Sequence, residues 1–400
     1  MMPSGVSSRT VPSSMNDHAF EGIKVVELGG YIVGALCTAF LADLGAAVIK
    51  FESQQGDGLR PQGGSFQGWN RGKRGIVVDL RTAEGKKILR ELALEADVLV
   101  QNLRPGVAAS WEADYATLAP LNPRLVYLAM PGFGLDGPDA ARPGFDPLLQ
   151  AAAGAMASQG GEGNPPVFHR VPLSDNAGAM LGAYSVALAL YQRARTGRGQ
   201  FVHGSLLNAA IAVQAGEFLG YQGKPQPARM GNFGVDALNR MYQAEDDWLY
   251  LGCEDDDGWR HVCRILGKHD LPADPRFDTS EKRRANAADL AAVFEPLFLA
   301  APAPHWLDLL EAAAVPCSPV NFSRTLFDHP QIIENDFAAE HDSFDLGKLQ
   351  QRGIVVKLSK TPGIARRPTP GLGQHTAEVL AELGYTCKDI DALRQKRVIL

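Results

Sequence analysis

The sequence predicts a doubly wound α/β domain joined to a smaller α+β domain, on three observations. Short β-branched runs alternate with helix-length segments between Gly22 and Met130, the pattern of βαβ units on a parallel sheet. Each run ends in a loop bearing Gly, Pro or Arg, the place where such folds bind ligands. Finally, 400 residues exceed the roughly 250–300 that one core accommodates.

In chain order, IKVVEL (23–28) reads as a buried strand, Gly29-Gly30 as a turn, and ALCTAFLADLG (35–45) as a helix stopped by Gly45. AAVIKFE (46–52), IVVDL (76–80), DVLVQN (97–102) and LVYLAM (125–130) read as further strands, with a helix over 82–96. A Gly/Pro-rich connector over 160–172 leads into a small-residue helix that opens at Asp175 and stops near Gly197. Gly, Pro and Gln accumulate over 220–234, marking a boundary. The expected division is a tail over 1–20 with no stable structure, a large domain over 21–219, a small domain over 220–330, and a return segment over 331–400. That segment carries a strand-like GIVVKL (353–358) and a last helix over 374–383.

A hydrophobic content of 45% supports a real core, and a net charge of −6 argues against coating nucleic acid or an anionic membrane. The longest apolar stretch, Ala177 to Tyr191, falls short of the ~20 residues that cross a bilayer. Five scattered cysteines without a CxxC pair, and nine histidines without metal-ligand spacing, suggest neither disulfides nor a metal site and fit a reducing cytoplasm. No Gly-x-Ser-x-Gly is present, which sets serine hydrolases aside.

Several residues suit chemistry. Gly29, Gly30 and Gly34, with Glu52 ending the next strand, resemble a loose dinucleotide turn, although the spacing serves helix packing equally well. Arg60, Arg71, Lys73, Arg74, Arg104 and Arg142 fall near loops and form either a cationic mouth for a phosphorylated ligand or solvated surface charge. Asp175 reads as a helix N-cap or as an oriented carboxylate nucleophile. Asp146 in RPGFD (142–146) suits a turn, a cap or a polar site contact, and His169 is either a site base or surface.

Taken together, FLADLGAAVIKFE (40–52), NRGKRGIVVDLRTAEG (70–85), DVLVQNLRPGV (97–107), NPRLVYLAMPGFGLDGP (122–138), RPGFD, the Asp175 segment, TGRGQ (196–200), SKTPG (359–363) and AELGY (381–385) resemble the class III, or CaiB/BaiF, CoA-transferases and their racemase relatives. The resemblance runs from Gly22 to the C-terminus. It implies a Rossmann-like large domain built from both chain ends, a small domain between them, and an interlocked homodimer. It further implies coenzyme A and acyl-CoA as substrates, small carboxylic acids as partners, and no tightly bound cofactor.

By the same resemblance Asp175 is the catalytic aspartate, Lys73 and Arg74 are a basic CoA-binding pair, Asn102, Leu103 and Arg104 contact CoA, and Arg142 and Asp146 join the CoA-binding set. Leu103 stands where the family carries Phe, and Ala35 where many relatives carry Pro. GNFGVDALNRMY (231–242) lacks the glycine-rich flap of the formyl-CoA branch. The expected function is transfer of CoA between carboxylic acids. A racemase, a nicotinamide-dependent oxidoreductase and a catalytically silent acyl-CoA-binding subunit are the alternatives; Phe145, where the racemase branch carries His, favours the transferase.

Overall fold

A computed structural model of the chain describes residues 18–161, 164–224, 232–343, 345–365 and 367–400. Most of the tail expected over 1–20, and Gly231 of the segment compared with the flap, lie outside the described residues. The chain forms two compact units: residues 1–153, 170–215 and 330–400 make the first, and 154–169 with 216–329 the second. The run expected over 21–219 is thus interrupted, because 154–169 clusters with the later segment.

The first unit is organised by a mixed α/β layer around six parallel strands. They are β1 (Lys24–Glu27), β2 (Ala47–Glu52), β3 (Lys73–Val77), β4 (Val98–Gln101), β5 (Val126–Ala129) and β6 (Phe201–His203), in the order β3-β2-β1-β4-β5-β6. This is the Rossmann order, whose topological switch lies between β1 and β4. Period-2 alternation splits the strand side chains between two cores. Val25, Val48, Val98, Val100, Val126 and Leu128 pack with the helices Val33–Asp43 and Leu173–Thr196. Val26, Ile49, Ile76, Leu99 and Tyr127 pack with the helices Ala83–Glu95, Thr376–Glu382 and Cys387–Gln395. The return segment therefore completes one face of the sheet, and Val78 bridges to Ile399.

Small residues let the two helices of the other face meet. A Cβ on Gly178 would come within 3.0 Å of Leu206 and 3.1 Å of Val33, and one on Gly182 within 3.2 Å of Cys37 Sγ. The Leu173–Thr196 helix ends at Gly197 with φ of 75°, where a glycine avoids left-handed strain.

Three expectations are corrected. β3 starts at Lys73, three residues before the apolar run, because the Lys73 side chain is taken into the core by Glu27, the Ala35 carbonyl and Asn70. GIVVKL is not a strand. Instead the polar segments β10 (Ala338–Ser343) and β11 (Gly347–Arg352) pair antiparallel, since pairing across a turn needs no apolar run. Asp175 lies inside the first turn of its helix, which begins at Leu173, so it is not the N-cap.

The second unit has an antiparallel sheet of β7 (Asn239–Gln243), β8 (Trp248–Gly252) and β9 (Cys317–Pro319). Tyr242, Trp259, Phe294, Phe298 and Trp306 centre its own core.

Candidate active site

The carboxyl ends of β1, β2 and β3, with the loop after β4, surround a cleft of about 360 Å³. Its walls are Leu28–Gly30, Phe51–Gly58, Val78–Arg81, Leu103 and Trp111. Asn102 shapes the β1 turn: its Oδ1 accepts from the Gly30 amide at 3.2 Å and its Nδ2 donates to the Gly30 carbonyl at 2.8 Å. A Cβ on Gly29 would lie 2.3 Å from Asn102 Oδ1, so a side chain there would push Asn102 out of its bonds to the turn. Glu52 is engaged by Arg60 through Nε at 2.6 Å and Nη2 at 2.5 Å, and by the Asp57 amide at 2.9 Å. It is thus not free to hold a ribose, which removes the ground for a dinucleotide turn.

Asp175 sits at the start of the long helix. One turn on, Gly178 packs against Val33, directly after the β1 turn, and against Met130, directly after β5. The nucleophile candidate therefore stands at the same carboxyl edge of the sheet. Asp175 is 7% exposed and Asp146 4%. Asp146 begins the helix Asp146–Ala152, and its Oδ1 accepts the amides of Ser174 at 2.6 Å and of Asp175 at 3.1 Å. It thereby satisfies two of the unpaired N–H groups of the long helix. Gln150 Nε2 donates to the other oxygen of Asp146. Burial first, and the Asp146 charge second, push the Asp175 carboxyl up from 3.8 to about 7.

The cations divide. Arg104 is exposed and forms no ion pair among the described residues; with Leu103 and Tyr115 it borders a second hollow of about 320 Å³. Arg142 is exposed and pairs with Asp139 at 3.0 Å. Arg71 is wholly buried against Asp43.

Lys73 departs from the expected CoA-binding role. Its three donors go to Glu27 at 2.8 Å, the Ala35 carbonyl at 2.8 Å and Asn70 at 2.9 Å, with no exposure, so none is left for a ligand. Arg74 pairs with Glu378 and Glu382 near the amino end of β3, at the opposite end of the strand from the cleft. The cation that does border the cleft is Arg81, just past β3 and 80% exposed at its side chain. The rule that ligands meet the loops after strands already points to it, since the expected strand IVVDL ends at Leu80, directly before Arg81. His169 belongs to the second unit. Among the described residues no group of His, Cys, Asp or Glu could hold a metal ion, and no single helix is long and apolar enough to cross a membrane.

Fold and cleft define a Rossmann-type α/β enzyme with a buried carboxylate pair at its ligand edge. The chain belongs to CoA-transferase family III, whose family model matches residues 20–376. It is therefore a CoA-transferase, an enzyme class whose substrates are CoA thioesters. The succinyl-CoA–D-citramalate CoA-transferase of Chloroflexus aurantiacus is 31% identical, with 98% of this chain and 100% of that protein covered. Human succinyl-CoA:glutarate CoA-transferase is 30% identical, covering 97% and 91%. The solved structure of a CaiB/BaiF family protein from Brucella suis has a TM-score of 0.84 at 31% identity, covering 92% of this chain and 100% of that one.

Proposed function

We propose that the chain moves CoA from an acyl-CoA donor to a carboxylic acid acceptor through covalent intermediates on Asp175. The Asp175 carboxylate attacks the thioester carbonyl, the C–S bond breaks, and a mixed anhydride forms with release of CoA thiolate. The thiolate attacks the aspartyl carbonyl, expels the donor acid and leaves an aspartyl-CoA thioester. An acceptor carboxylate then attacks that thioester, breaking its C–S bond to give a second mixed anhydride and CoA thiolate, and the thiolate attacks the acceptor carbonyl of that anhydride, forming the new acyl-CoA and freeing the Asp175 carboxylate. Each step exchanges one activated acyl group for another.

The observation that carries this reading is the buried Asp175, whose backbone amide is tied by Asp146 and whose charge is held at a disadvantage. Such a carboxylate has little hydration to shed and a fixed direction of attack. Mass spectrometry of protein mixed with a panel of acyl-CoA thioesters, including succinyl-, acetyl- and 2-methylacyl-CoA, tests it. The expected adduct maps to Asp175; an adduct on another residue, or none with any thioester, removes the reading.

Two further outcomes follow from the same site. Because the nucleophile must be ionised, kcat/KM falls as pH drops below about 7 in the wild type. Asp146→Asn keeps an oxygen for the two amides but removes the charge, so the acid limb moves to lower pH. It does not reach the ordinary carboxylate range, since burial is the larger cause. A pH–rate profile reads this directly, and an unmoved limb contradicts it. Arg104→Ala is expected to raise KM by roughly 10-fold for every acyl-CoA alike, since a contact to the shared CoA portion binds ground and transition states equally. Steady-state kinetics on three thioesters checks that uniformity.

The long helix supports the homodimer. Met180, Tyr184, Leu188 and Tyr191 share one face and are 49–65% exposed, an apolar stripe of the kind that marks an interface. We assign it to a second copy of the chain.

A further inference from the structure

Beneath the cleft lies a group of buried charges that no step of the proposed transfer uses. Lys50 has no exposure. Its ammonium reaches Glu27 Oε1 at 2.7 Å, the Gly29 carbonyl at 3.2 Å and Asp57 Oδ2 at 2.9 Å. The contact with Asp57 is an ion pair rather than a directed hydrogen bond. The other Asp57 oxygen accepts the amide of Tyr31 at 3.3 Å and that of Leu59 at 2.9 Å. Asp57 is 6% exposed, so these bonds form away from bulk water and are correspondingly strong.

The geometry links two walls of the cleft. Gly29 and Gly30 belong to the wall after β1, and residues 53–58 to the wall after β2. Within these contacts the walls are joined by Asp57 bonding the Tyr31 amide and by Lys50 bonding both the Gly29 carbonyl and Asp57. At the same point Tyr31 takes a left-handed backbone with φ of 60°, which a bulky residue adopts only under strain. Tyr31 is 61% exposed, and its ring lies on Gly58, where a Cβ would come 3.1 Å from the ring carbon Cζ and the hydroxyl. A strained residue held by a buried acid at a ligand edge is the arrangement of a preformed site.

We propose that Asp57 is a positioning residue for the CoA thioester: with Lys50 it clamps the Gly29–Tyr31 turn to the 53–58 loop and sets the width of the cleft before ligand arrives. The proposal rests on the transferase reading, and it assigns Asp57 to binding rather than to chemistry. A preformed wall lowers the ordering that binding otherwise demands, so loosening it weakens affinity while leaving Asp175 in place.

Two substitutions separate this clamp from a general contribution to stability. Asp57→Asn keeps an acceptor for both amides but removes the charge that faces Lys50. Tyr31→Gly is compatible with the left-handed backbone but frees the turn to sample other conformations and removes the ring from Gly58, so it loosens the same wall without stranding a buried charge, even if Asp57→Asn does not fold. Isothermal titration with CoA is expected to show affinity lowered at least 5-fold in Tyr31→Gly and at least 10-fold in Asp57→Asn. Turnover at saturating acyl-CoA should change less than 3-fold. CoA affinity within 2-fold of wild type in the folded variants overturns the clamp and leaves the transferase reading standing, even if the melting temperature of Asp57→Asn falls. A wild-type protein that binds no CoA removes both.

Discussion

Asp175→Asn is expected to lower transfer by roughly a thousand-fold or more, because a covalent mechanism has no substitute for its nucleophile. CoA binding should persist, since the cleft is lined by other residues. The same change is expected to stabilise the fold, in a pH-dependent way. The folded pKa of Asp175 is raised from 3.8 to about 7. Its contribution to stability is therefore fully present below pH 3.8 and is lost as pH rises through about 7. Above that, a charge is forced onto a buried site at a cost of up to about 4 kcal/mol. The variant should melt higher than wild type at pH 8 and nearly with it at pH 4. Calorimetry at both pH values reads the sign, and a variant that melts lower at pH 8 than wild type contradicts the burial argument.

The second large effect concerns Glu27. Burial alone would raise its pKa, but the charges of Lys50 and Lys73 outweigh that and bring it down to about 2. Burial pulls Lys73 itself down to about 8 despite Glu27 beside it. Glu27 also accepts the Thr38 hydroxyl at 2.5 Å. Glu27→Ala strands the Lys73 ammonium inside the core and leaves Lys50 with Asp57 alone, and breaking one partner of a buried ion cluster costs about 3–5 kcal/mol. Urea unfolding at pH 7 should show that loss. Glu27 has a depressed folded pKa, so its contribution is present above pH 4.5 and is lost as pH falls through about 2. The gap between wild type and variant should accordingly narrow between about pH 5 and pH 2. Equal stability of the two proteins at pH 7 contradicts the cluster as drawn.

Much of the sheet was readable before any coordinates, for a physical reason. Buried parallel strands need apolar side chains on both faces, and β1, β4 and β5 carry them in short runs, as does β2 on either side of Lys50. β3 was misplaced because its first two residues are Lys73 and Arg74, which no hydrophobic pattern assigns to a strand. The hairpin of β10 and β11 was missed because AAEHDS and GKLQQR hold few apolar residues. Its register comes from pairing between the two segments, which a one-dimensional pattern does not carry. Asp175 and Asp146 were both visible as candidates, one by its place before a run of small residues and the other by its turn.

By itself the sequence determined the alternation of strands and helices, the family, and the residue types able to act at the site, since all of these reside in local pattern and ordered motifs. Tertiary structure alone decided how those residues are spent. Lys73 reads as a CoA-binding or surface cation, yet three acceptors brought together from β1, from the helix after it and from the end of the helix Gly64–Asn70 remove it from solvent. Asp146 reads as a turn or capping residue, and the fold directs its carboxylate to a helix that starts 27 positions later, at Leu173. The charge state of a buried group is set by the neighbours that the fold places around it, and those neighbours are distant in sequence.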